Sequence, residues 1–446
     1  MDKATLVARA EQAVAAARKA GAEAADALAL ASTDISASIR HGQPESIEQA
    51  ESCAIGLRVF IGTASATLST SEFSAPALAH LAEQAVAIAR VAPADPYTGL
   101  ADERLLALDA APLEAADDFI PDMRALQAQA REAEAAGLAV RGIRNSEGGD
   151  ASASRHCLAL VTSHGFSGAY YTARYAVSAS LIAGEGEHMQ RDYDYAMTTH
   201  HADLTAASLI GQRAAERAVS RLNPRKISSR QAVVYFEPRT GRQLLSAFAG
   251  AISGSAIARG TSFLKDALGT KIFAGNIRIT DDPQLKRGLA SRAFDAEGVT
   301  ANALDIVADG TLTSWILDTR SARQLGLVTT GHAARGLASS PHPSPSNLYL
   351  HGGTQTPDAL FATMGDGFYV TETIGHGTNL LTGDFSVGAS GFWLEGGERA
   401  YPVSEVTIAG NLRDIFASLV PANDLAFTYG INVPTLAVPC LTIAGS

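Results

Sequence analysis

The 446-residue sequence predicts an α+β protein, with a mixed helix-and-sheet N-terminal domain over 1–223 and a C-terminal barrel-like β domain with flanking helices over 224–446. Three observations predict it. Apolar residues recur at three- and four-residue steps in a few N-terminal segments, and strand-like alternation lies between them. After a polar, proline-broken string the chain then becomes a series of short strand-like runs separated by glycines, the pattern of a curled or barrel-like sheet.

Taken in order, residues 3–20 place Leu6, Ala10, Ala13, Val14 and Ala17 on one helical stripe, ended by Gly21 after Lys19. Further helices are expected over about 75–91, from Pro121 to Gly137, and over 204–222. Strands are expected over 28–39 and 54–68. From Tyr170 to Leu181 the alternation of Tyr171, Tyr175, Val177 and Leu181 with Thr172, Arg174, Ser178 and Ser180 gives a half-exposed antiparallel strand, with Asp192–Tyr195 as its hairpin partner. Asn223-Pro224-Arg225-Lys226-Ile227-Ser228-Ser229 is the expected domain boundary. Beyond it a strand at 232–236 and a helix at 241–258 precede short strands at 277–280, 314–318, 347–350, 368–374, 392–394 and 403–408. No repeat at a fixed period is visible.

Composition narrows the function. Hydrophobic residues make up 46% and charged residues 18%, the profile of a globular protein with a sizeable core. The net charge of −11 argues against a nucleic-acid surface, which depends on clustered Lys and Arg. The densest basic group, Arg221, Arg225, Lys226 and Arg230, reads as a solvated cap at a helix end. The start Met1-Asp2-Lys3 lacks the pattern of a secretory leader, and no apolar run reaches 18 residues, so neither export nor membrane insertion is expected. Cys53, Cys157 and Cys440 lie far apart without a CxxC, which fits a reducing, cytoplasmic setting. Cys440 reads as a small buried hydrophobe.

None of the eleven histidines is followed by Glu, so no HExxH or HExxxH exists. Glu185, Glu187, His188, Asp192, Asp194, His200 and His201 are of metal-ligating type, but the polar face of a solvated hairpin accounts for them. Short matches to the histidine and serine segments of subtilisin-like proteases, His376-Gly377-Thr378 and Gly260-Thr261-Ser262, stand in reversed chain order. Gly375–Asn379, between a strand and Thr382-Gly383-Asp384, combines backbone freedom with polar groups that suit a close-approaching ligand or a tight barrel corner.

Longer strings are more specific. Ser253-Gly254-Ser255-Ala256 with Arg259-Gly260-Thr261-Ser262-Phe263-Leu264, then Thr382-Gly383-Asp384-Phe385-Ser386, Gly391-Phe392-Trp393-Leu394-Glu395, Tyr401-Pro402-Val403 and Val406–Leu412 together resemble the TldD/PmbA family, in its PmbA (TldE)-type branch. The resemblance is sharp over about 230–412. It implies a heteromeric TldD/TldE zinc metallopeptidase acting on unfolded peptides, in proteolysis and peptide maturation. A TldD-type partner would carry HExxxH and the zinc. It also brings an association with DNA gyrase modulation, and it admits a homodimer when the chain is isolated.

Carried over onto this sequence, the motif's two histidines and glutamate fall at Ser246, Ala251 and Ala247, and the third ligand is missing, because Cys440 lies in a strand-like run without the expected glycine. Serine and alanine cannot replace imidazole ligands or a carboxylate base. No metal ligand or catalytic residue is therefore assigned to this chain, and no cofactor. Arg259, Thr261, His376, Asn379, Asp384 and Ser386 are the candidates for a peptide channel or subunit interface. Small residues Gly250, Ser253, Gly254 and Ser255 offer a surface for close packing by another backbone or chain. An independent hydrolase using His376, Asp384 and Ser386 is the alternative.

Overall fold

The computed structural model describes residues 1–108, 113–375 and 377–445. Helix α1 (Lys3–Lys19) is capped by the Asp2 carboxylate, which accepts from the Thr5 N–H at 2.8 Å, and it buries the five stripe residues read from the sequence. Gly21, at φ +100°, then turns the chain into strand β1 (Ala24–Arg40). Strands β2 (Gln43–Ile61) and β3 (Ala64–Thr70) follow, then helix α2 (Ala75–Val91), with Ser74 as cap. Where one strand was expected over 54–68 there is thus a hairpin. The turn at Gly62, φ +55°, folds it, and no apolar break in the sequence announces it.

The same series then recurs: α3 (Met123–Leu138), β4 (Ile143–Thr162), β5 (Ser167–Ala183), β6 (Gln190–Thr198) and α4 (Ala207–Ser220). The six strands form one antiparallel sheet of order β3-β2-β1-β4-β5-β6. Its centre is the pairing of the two units through β1 and β4, so the order is symmetric about the middle. This repetition of an αβββα unit is one of topology, with no fixed sequence period to announce it. The strands carry enough Ala and Ser that periodicity survives only as topology.

In the C-terminal half, β7 (Arg230–Phe236), β8 (Gly367–Ile374), β9 (Asp384–Glu395), β10 (Glu398–Asn411) and β11 (Leu436–Ala444) close on themselves in the order β10-β9-β8-β7-β11, with β11 pairing back to β10 through Ile408 and Ile443. A five-stranded barrel results. Closure leaves its main strands without a free edge. Val234, Phe236, Phe368, Val370, Phe385 and Ile408 join the main C-terminal core, while Tyr235, Tyr369, Phe392 and Leu394 pack against Leu360 and Phe361 of a flanking helix, Pro357–Met364.

Four expectations in this half are corrected. The helix expected over 241–258 is two, α5 (Pro238–Ala251) and α6 (Gly254–Ala258). The break occurs because the Gly254 N–H leaves the helix to donate to Ile316 O at 2.8 Å. Residues 314–318 form no strand, only the single bridge Ser253–Ile316. Gly254 packs within the chain itself, where a side chain would meet Ser321 and Leu317 at 2.4 and 2.7 Å, so it is not a surface for another chain. Cys440 is exposed, because on β11 it follows Pro439 in a register irregularity and points away from the core.

Candidate functional site

Helix α5 starts at Pro238 and buries Leu244, Leu245, Phe248, Ala249 and Ala251, so its outward face is set by what remains: Gln243, Ser246, Ala247 and Gly250. Ser246 is exposed and Ala247 half-buried, whereas Ala251 has 0% exposure and its carbonyl accepts from Ser262 Oγ at 2.5 Å. Five residues separate Ser246 from Ala251, about 140° around the axis. The three positions therefore do not share one face. A hydroxyl in solvent and two methyl groups do not fit a zinc ion, which needs nitrogen, sulfur or carboxylate ligands. Among the described residues, no three His, Cys, Asp or Glu side chains are grouped as a metal site would require.

Against the end of α5 lies the loop between β8 and β9. Leu380 is its anchor: its carbonyl accepts from Phe263 N at 2.8 Å, and its side chain lies 3.1 Å from where a side chain on Gly250 would begin. This contact sets the Arg259–Phe263 turn beside the loop. Arg259, Thr261, Asn379, Asp384 and Ser386 are all exposed, and His376 lies outside the described residues.

The polar groups of the loop mostly fasten the loop. Asn379 Oδ1 accepts from Leu381 N at 2.9 Å, Asp384 accepts from Thr382 Oγ1 at 2.6 Å and from Asn411 Nδ2 at 3.2 Å, and Ser386 N donates to Gly377 O at 2.7 Å. A side chain on Gly377 would overlap that Ser386 carbonyl at 1.4 Å, so a glycine is required there by backbone approach. Asp384 and Ser386 share the outer face of β9 while Phe385 and Val387 point inward.

A second feature escaped the sequence. Asp192, read as part of a solvated hairpin, is 3% exposed and gripped by Arg239 at 2.9 Å and Arg221 at 3.2 Å. Burial alone would push its carboxyl up, but Arg239, the Tyr193 N–H and Arg221 outweigh that and hold it below the ordinary value. Arg221 is accordingly buried, not a solvated cap, and it also reaches Glu372 on β8. Only the period-two pattern around Tyr193 and Tyr195 hinted that one face of β6 is covered.

Next to this cluster a cavity of about 600 Å³ opens between β6, α4, the start of α5 and the 285–289 and 427–429 segments. Its wall holds a run of aromatic rings: Tyr193 and Tyr195 stacked at 6.2 Å between centroids, and Tyr429 tilted against Tyr195 at 5.7 Å. Burial raises the Asp194 carboxyl beside them, against the pull of Arg217 at 3.9 Å.

Comparison with known proteins gives three matched models: PmbA/TldA metallopeptidase domain 1 over residues 25–89, the central domain over 105–222 and the C-terminal domain over 229–445. The chain is 38% identical over 416 residues to the metalloprotease PmbA of Escherichia coli O157:H7, spanning 93% of this chain and 90% of that one. It is 37% identical over 434 residues to a metalloprotease PmbA homologue of Haemophilus influenzae, spanning 96% and 94%. Among solved structures it resembles a candidate modulator of DNA gyrase from Bacteroides thetaiotaomicron, with a TM-score of 0.91 at 27% identity over 98% of both chains. TldE from Thermococcus kodakarensis, at 18% identity, gives 0.85 over 98% and 100%, a likeness of fold.

Proposed function

The chain belongs to the PmbA/TldD metallopeptidase family, and from that premise we propose that it is the PmbA (TldE)-type subunit of a heteromeric zinc peptidase that acts on unfolded peptides in the cytoplasm. The observation that carries this reading is α5. The helix is kept as a packed scaffold, with Leu244, Leu245 and Phe248 in the core, while its motif positions hold Ser246, Ala247 and Ala251. Peptide hydrolysis by a zinc enzyme needs a Lewis acid and a base that activates water, and these three side chains supply neither. A TldD-type partner supplies both, and this chain forms part of the chamber.

The exposed groups beside α5 suit that role. Arg259 and Thr261 on one side and the 377–386 loop on the other form a rim whose shape is fixed by its own hydrogen bonds, so a peptide or partner docks without first ordering it. Extended peptides present free main-chain N–H and C=O groups to such a rim, whereas folded proteins have used theirs. Elemental analysis of the purified chain tests the assignment. The expected result is less than one zinc per ten chains after mild chelation; one zinc per chain surviving it would overturn the reading.

A further inference from the structure

We infer that the 600 Å³ cavity between β6, α4 and the start of α5 binds the C-terminal carboxylate of a peptide that ends in an aromatic or large apolar residue. The inference rests on the reading that this chain handles peptides. Its site lies away from the rim described above: the cavity meets α5 at Pro238 and Arg239, and Ser246 follows about 12 Å further along the helix.

The volume falls in the range of sites that enclose small organic ligands and exceeds what a lone ion requires. Its chemistry is divided in two. Tyr193 and Tyr195, stacked, with Tyr429 tilted against Tyr195 give an aromatic wall suited to a ring or a large aliphatic side chain. These tyrosines are themselves held by charge, with the Arg239 guanidinium 5.2 Å from the Tyr193 centroid and Arg242 4.4 Å from that of Tyr429. Two of the three rings thus already stack on a cation, which disfavours a ligand that brings its own positive charge.

The lining also carries cations, and their charges are nearly all matched. Arg239 pairs with Asp192 and Glu237, Arg217 with Glu237 at 3.2 Å, Lys286 with Glu114, and Arg287 with Glu114 and Asp203. Arg213 is the exception. It stands one helical turn before Arg217 on α4, lines the cavity with its side chain exposed, and has no acidic partner within 4.0 Å among the described residues, Asp194 feeling its charge from farther off. Its guanidinium is thus open to one negative charge, offered bidentately by a carboxylate. A phosphate dianion would leave a charge over. Asp194 is the group that opposes an incoming carboxylate, and its raised pKa, caused first by burial, lessens that opposition.

Calorimetric titration of the full chain with an unstructured hexapeptide ending in Phe tests the site. The free acid is expected to bind at least about tenfold more tightly than the C-terminal amide, with N-terminal acetylation making no difference. Arg213→Gln is expected to bring the acid down to the affinity of the amide, and Arg213→Lys to restore part of the gap. Equal binding of acid and amide, sensitivity to N-acetylation instead, stronger binding of a nucleoside monophosphate, or no binding of any peptide would each overturn the proposal. The titration needs neither partner nor zinc. An amide bound as well as the acid would remove this site and leave the subunit reading standing, whereas an inactive mixture of subunits would remove that reading and leave the titration as it is.

Discussion

The two αβββα units of the N-terminal sheet meet the C-terminal half through two ionic clusters built on opposite plans. In the first unit, Asp26 on β1 and Arg58 on β2 are cross-strand partners, bonded at 2.9 Å through Arg58 Nε, and Arg335 and Glu297 close over them from the other half of the chain. All four side chains are 5% exposed or less. In the second unit, Asp192 on β6 is held by Arg221 and Arg239, but these arginines also lean on Glu372 and Glu237, which are 27% and 17% exposed and reach toward solvent and the cavity. The same topology thus produces one sealed junction and one that opens onto a binding-sized space. Sealing makes the first a matter of stability, and openness leaves the second able to serve a ligand.

The largest expected effect tests the sealed junction. Asp26→Ala leaves Arg58 and Arg335 buried without their carboxylate and is expected to destabilise the fold by about 3–5 kcal/mol. Asp192→Ala is expected to cost roughly 1–3 kcal/mol, because Glu237 and Glu372 still compensate its arginines. Urea unfolding of both variants measures the difference. Equal losses would break the distinction between the two junctions.

A smaller effect sharpens the comparison through pH. Burial first, and then the neighbouring Asp295, push the Glu297 carboxyl up to about 7, against the opposing charge of Arg58. A carboxyl with a folded pKa above its unfolded value binds more protons when folded, so its contribution is present at low pH and lost as pH rises from about 4.5 to about 7. Asp26 and Asp192 act in the opposite direction, because both are held below 3.8 and lose their contribution only as pH falls through that value. Glu297→Gln is expected to flatten the decline between pH 5 and 7 and to stabilise the protein at pH 8 by roughly 1–2 kcal/mol. Unfolding midpoints measured across that range decide it, and an unchanged slope would contradict the account.

The helical stripes of α1 and α2, the β5 alternation and the barrel-like character of the second half were legible because each is written in local periodicity. Asp192 was not, since its partners stand 29 and 47 residues away and nothing near it in the chain distinguishes a solvated from a buried carboxylate. Asp26 and Arg335 are 309 residues apart and illustrate the same limit. The break at Gly254 was hidden because it depends on a carbonyl from Ile316, and the β2–β3 turn because Gly62-Thr63 interrupts no apolar pattern. At the candidate site, the identities of Ser246, Ala247 and Ala251 were readable directly. Their different exposures were not, because they follow from which side of α5 the barrel core covers.

The central claim is that this chain completes a peptidase without supplying its zinc. The direct measurement is cleavage of an unstructured peptide by this chain, by a zinc-bearing TldD-type partner and by their mixture. The account predicts no cleavage by this chain alone, and cleavage by the mixture at least about tenfold above the partner alone, abolished by chelation. Equal rates for the partner and the mixture, or zinc-independent cleavage by this chain by itself, would contradict it.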